Sequence, residues 1–156
     1  MHVPGKYPVM TFHNDKELND CLKWWKDRLY LHDWTIHAAL KEHVYIGDEE
    51  VAGSNTFEHV PMSSCILIST QQTGETKDTV TKVCHEVTLV HELLHLRLNW
   101  LQPPYNYEGK YTDEMEHQNI EKFARSLIMA KYRLPFDWFD GDYEEEEPTI
   151  EGCSLK

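Results

Sequence analysis

The chain is short of positive charge. Lys and Arg total 15 against 27 Asp and Glu, a formal net charge of −12 over 156 residues. So acidic a surface repels phosphate backbones and anionic headgroups, which argues against nucleic acid and against a membrane surface as direct partners. No apolar run approaches the length of a bilayer-spanning helix. The opening residues, Met1-His2-Val3-Pro4-Gly5-Lys6, lack the basic-then-apolar pattern of a signal peptide, and the expected location is cytoplasmic. Cysteine is sparse: Cys21, Cys65, Cys84 and Cys153 are widely spaced, with no CxxC. They read as free thiols, mostly packed as small apolar groups, rather than as a disulfide framework or a cysteine-ligated metal site. There is no internal repeat. What is present is 40% hydrophobic and 12% aromatic residues, enough for one domain with a sound core.

Hydrophobic period divides the chain into a mixed α+β order. Residues 1–13, with Pro4, Gly5 and Pro8, read as an extended lead-in. Asn14 or Asp15 caps a helix running to about Tyr30, with Glu17 placed for a capping box. Leu18, Cys21, Leu22, Trp25 and Leu29 form its core stripe. Trp34, Ile36, Ala38 and Leu40 then alternate with Thr35, His37 and Ala39, as in a half-buried strand. Residues 44–46 are a weaker strand, and Gly47-Asp48 a turn. A further strand is expected over 51–57, weakened by Gly53-Ser54-Asn55, and a strong one over 64–70. A long helix is expected from about Thr79 to Leu101, ended by Pro103-Pro104. A tyrosine-rich loop leads to a last helix from about Thr112 to Tyr132, with Ile120, Phe123, Ala124 and Leu127 as its apolar stripe. Residues 1–136 form the expected domain. Residues 137–156, containing Glu144 to Glu147, read as an acidic mobile tail.

The long helix carries His91-Glu92-Leu93-Leu94-His95. Histidines four apart lie one turn apart on one helical face, so both imidazoles can reach one zinc ion, and Glu92 can hold a zinc-bound water. Histidine and glutamate are abundant here, and a chance HExxH has a probability of roughly one in fifteen. The surroundings raise its significance. Thr88, His91, Glu92, His95 and Asn99 make one narrow polar stripe on a helix that is otherwise apolar on most sides and so expected to be buried. Burying histidines and a carboxylate unpartnered costs several kcal/mol, and a metal relieves that cost. His85-Glu86, one and a half turns earlier, reads as surface. A third ligand is needed to leave one coordination position open. Glu116, four residues before Ile120 and seven before Phe123, is preferred, and His117 is the alternative.

His91-Glu92-Leu93-Leu94-His95 with a downstream glutamate-bearing helix resembles the small zincin metallopeptidases of gluzincin type. The nearest look is to compact phage and mobile-element zincins, including the ImmA/IrrE-like peptidases. The resemblance spans roughly residues 14–132 and implies a compact zincin-like fold: N-terminal helix, small mixed sheet, HExxH helix and a C-terminal helix with the third ligand. The family's last helix carries a Glu…Ala-Asn-x-Phe-Ala pattern. Glu116…Ile120-Glu121-Lys122-Phe123-Ala124 keeps only the Glu and the Phe-Ala. A SprT-like zincin, with a histidine as third ligand, is the other comparison, and His117 would serve.

The activity these resemblances imply is zinc-dependent hydrolysis of a protein or peptide, with Glu92 as general base. Tyr107, Tyr105, Tyr111 and His59 are candidates for stabilising the oxyanion or donating a proton. Zincins commonly bind substrate along the edge of the strand before the motif helix, which places Ile66, Leu67 and Ile68 on the expected substrate strand. Thr88 and Asn99 are candidates for orienting the ligands, with packing the simpler role for Thr88. A non-catalytic zinc-binding regulatory protein is the alternative from another class, but a structural zinc site has no need of Glu92. The sequence names neither a substrate nor an oligomeric state.

Overall fold

The computed structural model describes residues 5–71, 83–98 and 110–140, with the side chains of 110–115 outside that description. The order is α1 (Asp15–Arg28), β1 (Thr35–Lys41), β2 (Val44–Ile46), β3 (Glu49–Val51), β4 (Gly53–Glu58), β5 (Ser63–Ser69), α2 (His85–Leu98) and α3 (Lys110–Tyr132). The fold is α+β, with three helices and a small mixed sheet among the described residues. No helix among them is long and apolar enough to cross a membrane.

α1 starts where its capping residues dictate. Asn14 Oδ1 accepts from the Glu17 amide at 2.9 Å, and the Glu17 carboxylate reaches back to the His13 amide at 2.9 Å. These bonds occupy donors that a helix start otherwise leaves unpaired. Leu18, Cys21, Leu22 and Trp25 are buried, as their spacing requires.

The main sheet has the order β1-β5-β4, with β1 parallel and β4 antiparallel to β5. A short hairpin, β2-β3, turns at Gly47, whose φ of 61° suits glycine. Ile66 and Ile68 are fully buried on the helix side of the sheet. On the opposite face His37, Cys65 and Thr56 lie side by side across the strands and are exposed. Cys65 is thus not packed as expected, whereas Cys21 and Cys84 are buried thiols. Cys153 lies outside the described residues.

α2 lies between the sheet and α3, so apolar side chains are needed on nearly all its sides. Leu89, Val90, Leu93 and Leu96 have no exposed surface. It begins at His85, later than its pattern suggests. The lead-in segment supplies the reason: the His85 and Glu86 amides donate to the carbonyls of Met10 (3.0 Å) and Val9 (3.1 Å). The segment thereby caps the helix start. Residues 72–82, which include the first turn of the expected helix from about Thr79, lie outside the described residues.

His85 and Glu86 are buried, not on the surface. The Phe12 amide donates to His85 Nδ1 at 3.0 Å. Glu86 accepts from Trp25 Nε1 (2.9 Å) and Lys131 Nζ at one oxygen, and from Tyr132 Oη (2.6 Å) and the Val9 amide (2.8 Å) at the other. The Lys131 ammonium also lies 4.0 Å from the Trp24 ring centroid, a cation–π contact. Two charged groups can be buried because each satisfies the other and every carboxylate oxygen is bonded.

On α3 the buried residues are Ile120, Ala124, Ile128 and Tyr132, while Phe123 is 56% exposed. Phe123 therefore does not belong to the apolar stripe. Trp138 and Phe139 are buried, so the core extends into the segment assigned to the tail. Residues 141–156 lie outside the described residues.

Removing the Glu86 carboxylate strands the Lys131 cation and three other donors inside the protein. Glu86→Ala is expected to lower unfolding free energy by about 3–5 kcal/mol, measured by urea denaturation. A loss below about 1 kcal/mol would show that this network contributes little.

Candidate metal centre

The two motif histidines lie on the face of α2 turned toward α3, one turn apart. α3 brings His117 to them. The three rings are nearly equidistant, with centroid separations of 5.1 Å for His91–His95, 5.0 Å for His91–His117 and 5.1 Å for His95–His117. One nitrogen from each ring lies within 4.8 Å of the others, a spacing that could hold a metal ion. His91 and His95 are half-buried, and His117 is exposed.

The residue brought to the pair is His117, the alternative, and not Glu116. Helical phase explains this. At 3.6 residues per turn, residues seven apart nearly align. Glu116 aligns with Phe123, which is exposed, whereas His117 aligns with Ala124, which is buried. The preference for Glu116 rested on counting Phe123 as core.

Three imidazoles form a donor set suited to zinc and other borderline divalent metals. The rings must be neutral to bind, and His95 meets this condition. Burial, helped by the neighbouring His91 and His117, pushes its pKa down to about 4. His91 Nδ1 lies 2.7 Å from Glu121 Oε2, and Arg125 Nε donates to Glu121 Oε1 at 3.1 Å. Burial opposes ionisation of Glu121, but the hydrogen bond to His91 and the Arg125 guanidinium outweigh it. The Glu121 carboxyl stays below its ordinary range.

Glu92 is buried, with its carboxylate beside strand β4. Desolvation pushes its pKa up to about 7. Strand β4 comes unusually close here: a Cβ on Gly53 would sit 2.7 Å from Thr88 Cγ2 and 3.3 Å from Glu92 Oε1. Asn55 Nδ2 donates to the Glu92 carbonyl at 2.9 Å, and Ser64 Oγ donates to Asn55 Oδ1 at 2.6 Å. Gly53-Ser54-Asn55, read from sequence as a weakness in a strand, is where β4 seats against the motif helix. Thr88 packs under Gly53, and its hydroxyl donates to the Cys84 carbonyl at 3.3 Å.

The remaining candidates divide. His59 follows β4 and packs edge-on against Trp34 and Phe57, at ring separations of 6.1 and 5.6 Å. That makes it part of an aromatic cluster. Tyr105, Tyr107 and Asn99 lie outside the described residues, as does the Tyr111 side chain. Ile66, Leu67 and Ile68 are not on an edge. Their strand, β5, is hydrogen-bonded on both sides, to β1 and to β4. The strand beside α2 with one side unpaired among the described residues is β4. The antiparallel β4-β5 hairpin inserts it between the expected edge and solvent. Glu121, Asn55 and Gly53 were given no role at the site by sequence. Only Glu121 carried a readable signal, standing one helical turn after His117.

Burial gives Glu92 and His95 opposite effects on the stability of the metal-free protein. Glu92 titrates near 7 when folded against an ordinary 4.5, so ionising it disfavours the folded state increasingly from pH 4.5 to 7. His95 titrates near 4 against an ordinary 6.5, so its penalty appears as pH falls from 6.5 to 4. Glu92→Gln removes the first effect alone. It is expected to stabilise the metal-free protein by up to about 3 kcal/mol at pH 8 and little at pH 4. Denaturation across that range checks this, and a pH-independent difference would contradict it.

A second expectation concerns the close approach of β4. Gly53→Ala should destabilise by about 1–3 kcal/mol, and adding Thr88→Ala should recover most of the loss. Equal losses in the single and double variants would remove the Thr88 contact as the cause.

Compared with known proteins, the chain matches no family model, no curated protein and no solved structure.

Proposed function

We propose that this protein is a zinc-dependent peptide hydrolase. One observation carries the reading: three imidazoles from two helices converge at metal-holding distance, and the motif helix carries, next to His91, the buried Glu92, which a purely structural metal site would not need. His91, His95 and His117 would hold the ion, three protein ligands being the number that leaves a position open. When bound, zinc supplies a Lewis acid that makes water nucleophilic near neutral pH and polarises the scissile carbonyl.

Glu92 supplies the proton chemistry. Its carboxylate takes a proton from the attacking water as the new C–O bond forms, and returns it to the amine as the C–N bond breaks. In the metal-free protein, burial raises the proton affinity of this carboxyl, the direction that favours its taking a proton. The side of β4 that is unpaired among the described residues offers the substrate main chain a strand to pair with, next to Glu92. With histidine as third ligand the arrangement is nearer to the SprT-like pattern than to the gluzincin one. The acidic surface makes a protein or peptide, not nucleic acid, the expected substrate.

Elemental analysis of zinc-loaded protein should give about one equivalent. His95→Ala and His117→Ala should lose it, and Glu116→Ala should retain it. Against a diverse peptide library read by mass spectrometry, Glu92→Gln should keep zinc and lose at least about 100-fold in cleavage. Unchanged cleavage would remove Glu92 as the base. Zinc retention with no cleavage by the wild type is the result expected of a non-catalytic zinc protein. No zinc in the metal-replete wild type would end the reading.

A further inference from the structure

We propose that Glu121 is a positioning residue that fixes His91 in its Nδ1-protonated tautomer, leaving Nε2 as the only lone pair that ring offers. The consequence for metal binding rests on the zinc reading above. The tautomer itself does not.

A neutral imidazole has one nitrogen that donates and one that accepts. An ionised carboxylate carries no proton and can only accept. His91 Nδ1 and Glu121 Oε2 are 2.7 Å apart, so the proton between them belongs to the imidazole. Nε2 is then the nitrogen with a free pair. A ring so held can neither flip nor exchange tautomers without breaking a charge-assisted hydrogen bond.

Glu121 is itself anchored. Its other oxygen accepts from Arg125 Nε at 3.1 Å, one turn further along α3. The Arg125 guanidinium lies 5.9 Å from the ring centroid of buried Phe139. The carboxylate is thus held from its own helix and presented to the neighbouring one. His117 stands one turn before Glu121, so α3 contributes both an imidazole to the cluster and the group that orients an imidazole on α2. The negative charge of Glu121 also offsets the positive charge that three imidazoles and a divalent ion would gather.

Two readouts test this. Nitrogen-15 spectra of the histidines in metal-free protein report the tautomer, and competition with a chromophoric chelator reports zinc affinity. Wild type should show His91 protonated at Nδ1. Glu121→Ala should populate both tautomers and weaken zinc binding by about 10- to 100-fold. Glu121→Gln, whose amide oxygen still accepts, should keep the tautomer and recover most of the affinity, which a merely structural role for the charged side chain would not predict. An unchanged tautomer in Glu121→Ala, or a glutamine variant as weak as the alanine one, would overturn the proposal. Absence of zinc binding in the wild type would count against the hydrolase reading, and the tautomer comparison would still decide the role of Glu121.

Discussion

A single buried carboxylate organises this fold. Glu86 has no exposed surface and accepts hydrogen bonds from the lead-in segment, from α1 and twice from α3. An ionised group at such a depth is tolerable only when its partners are all in place, so it is intolerant of alternative packings. Three separate stretches of chain must therefore meet the first turn of α2 in one arrangement. The paired cation is equally constrained: the Lys131 ammonium is buried against Glu86 and the rings of Trp24, Trp25 and Tyr132.

The histidine cluster inherits its geometry from that anchor. α2 and α3 run antiparallel, and their polar contacts form a ladder through an otherwise apolar interface. Glu86 meets Lys131 and Tyr132, His91 meets Glu121, and His95 meets His117. Fixing the first rung sets the rotation of α2 about its axis, which turns His91 and His95 toward α3 and Glu92 toward β4. The same helix thus carries imidazoles that meet α3 and, between them in sequence, a carboxylate that meets β4. Gly53 and Asn55 complete the second contact, one by omitting a side chain and the other by bonding the Glu92 carbonyl. Apolar packing alone would leave the rotation and register of the helices less tightly specified, and a three-residue cluster from two helices requires both.

Much of the secondary structure was legible because it depends on neighbours in sequence. The Asn14 cap, the alternation from Trp34 to Leu40, the Gly47 turn and the apolar rod of α2 each follow from local pattern. Errors arose where a residue's partner is distant. Glu86 reads as surface in isolation, yet its donors lie up to 77 positions away. Phe123 has the spacing of a core residue and is exposed because α3 is rotated by its contacts with α2. The strand over 63–69 precedes the motif helix in sequence but is central in space, since β4 pairs along its flank.

The sequence by itself determined that two histidines and a glutamate share a mostly buried helix, because helical period alone places residues four apart on one face. It also narrowed the third partner to neighbours on the last helix. Choosing His117 over Glu116, attaching Glu121 to His91 and setting β4 beside Glu92 were decided only by tertiary structure. Each depends on the relative rotation or register of two packed elements. That rotation is set by long-range contacts such as the Glu86–Lys131 pair, which no local pattern encodes.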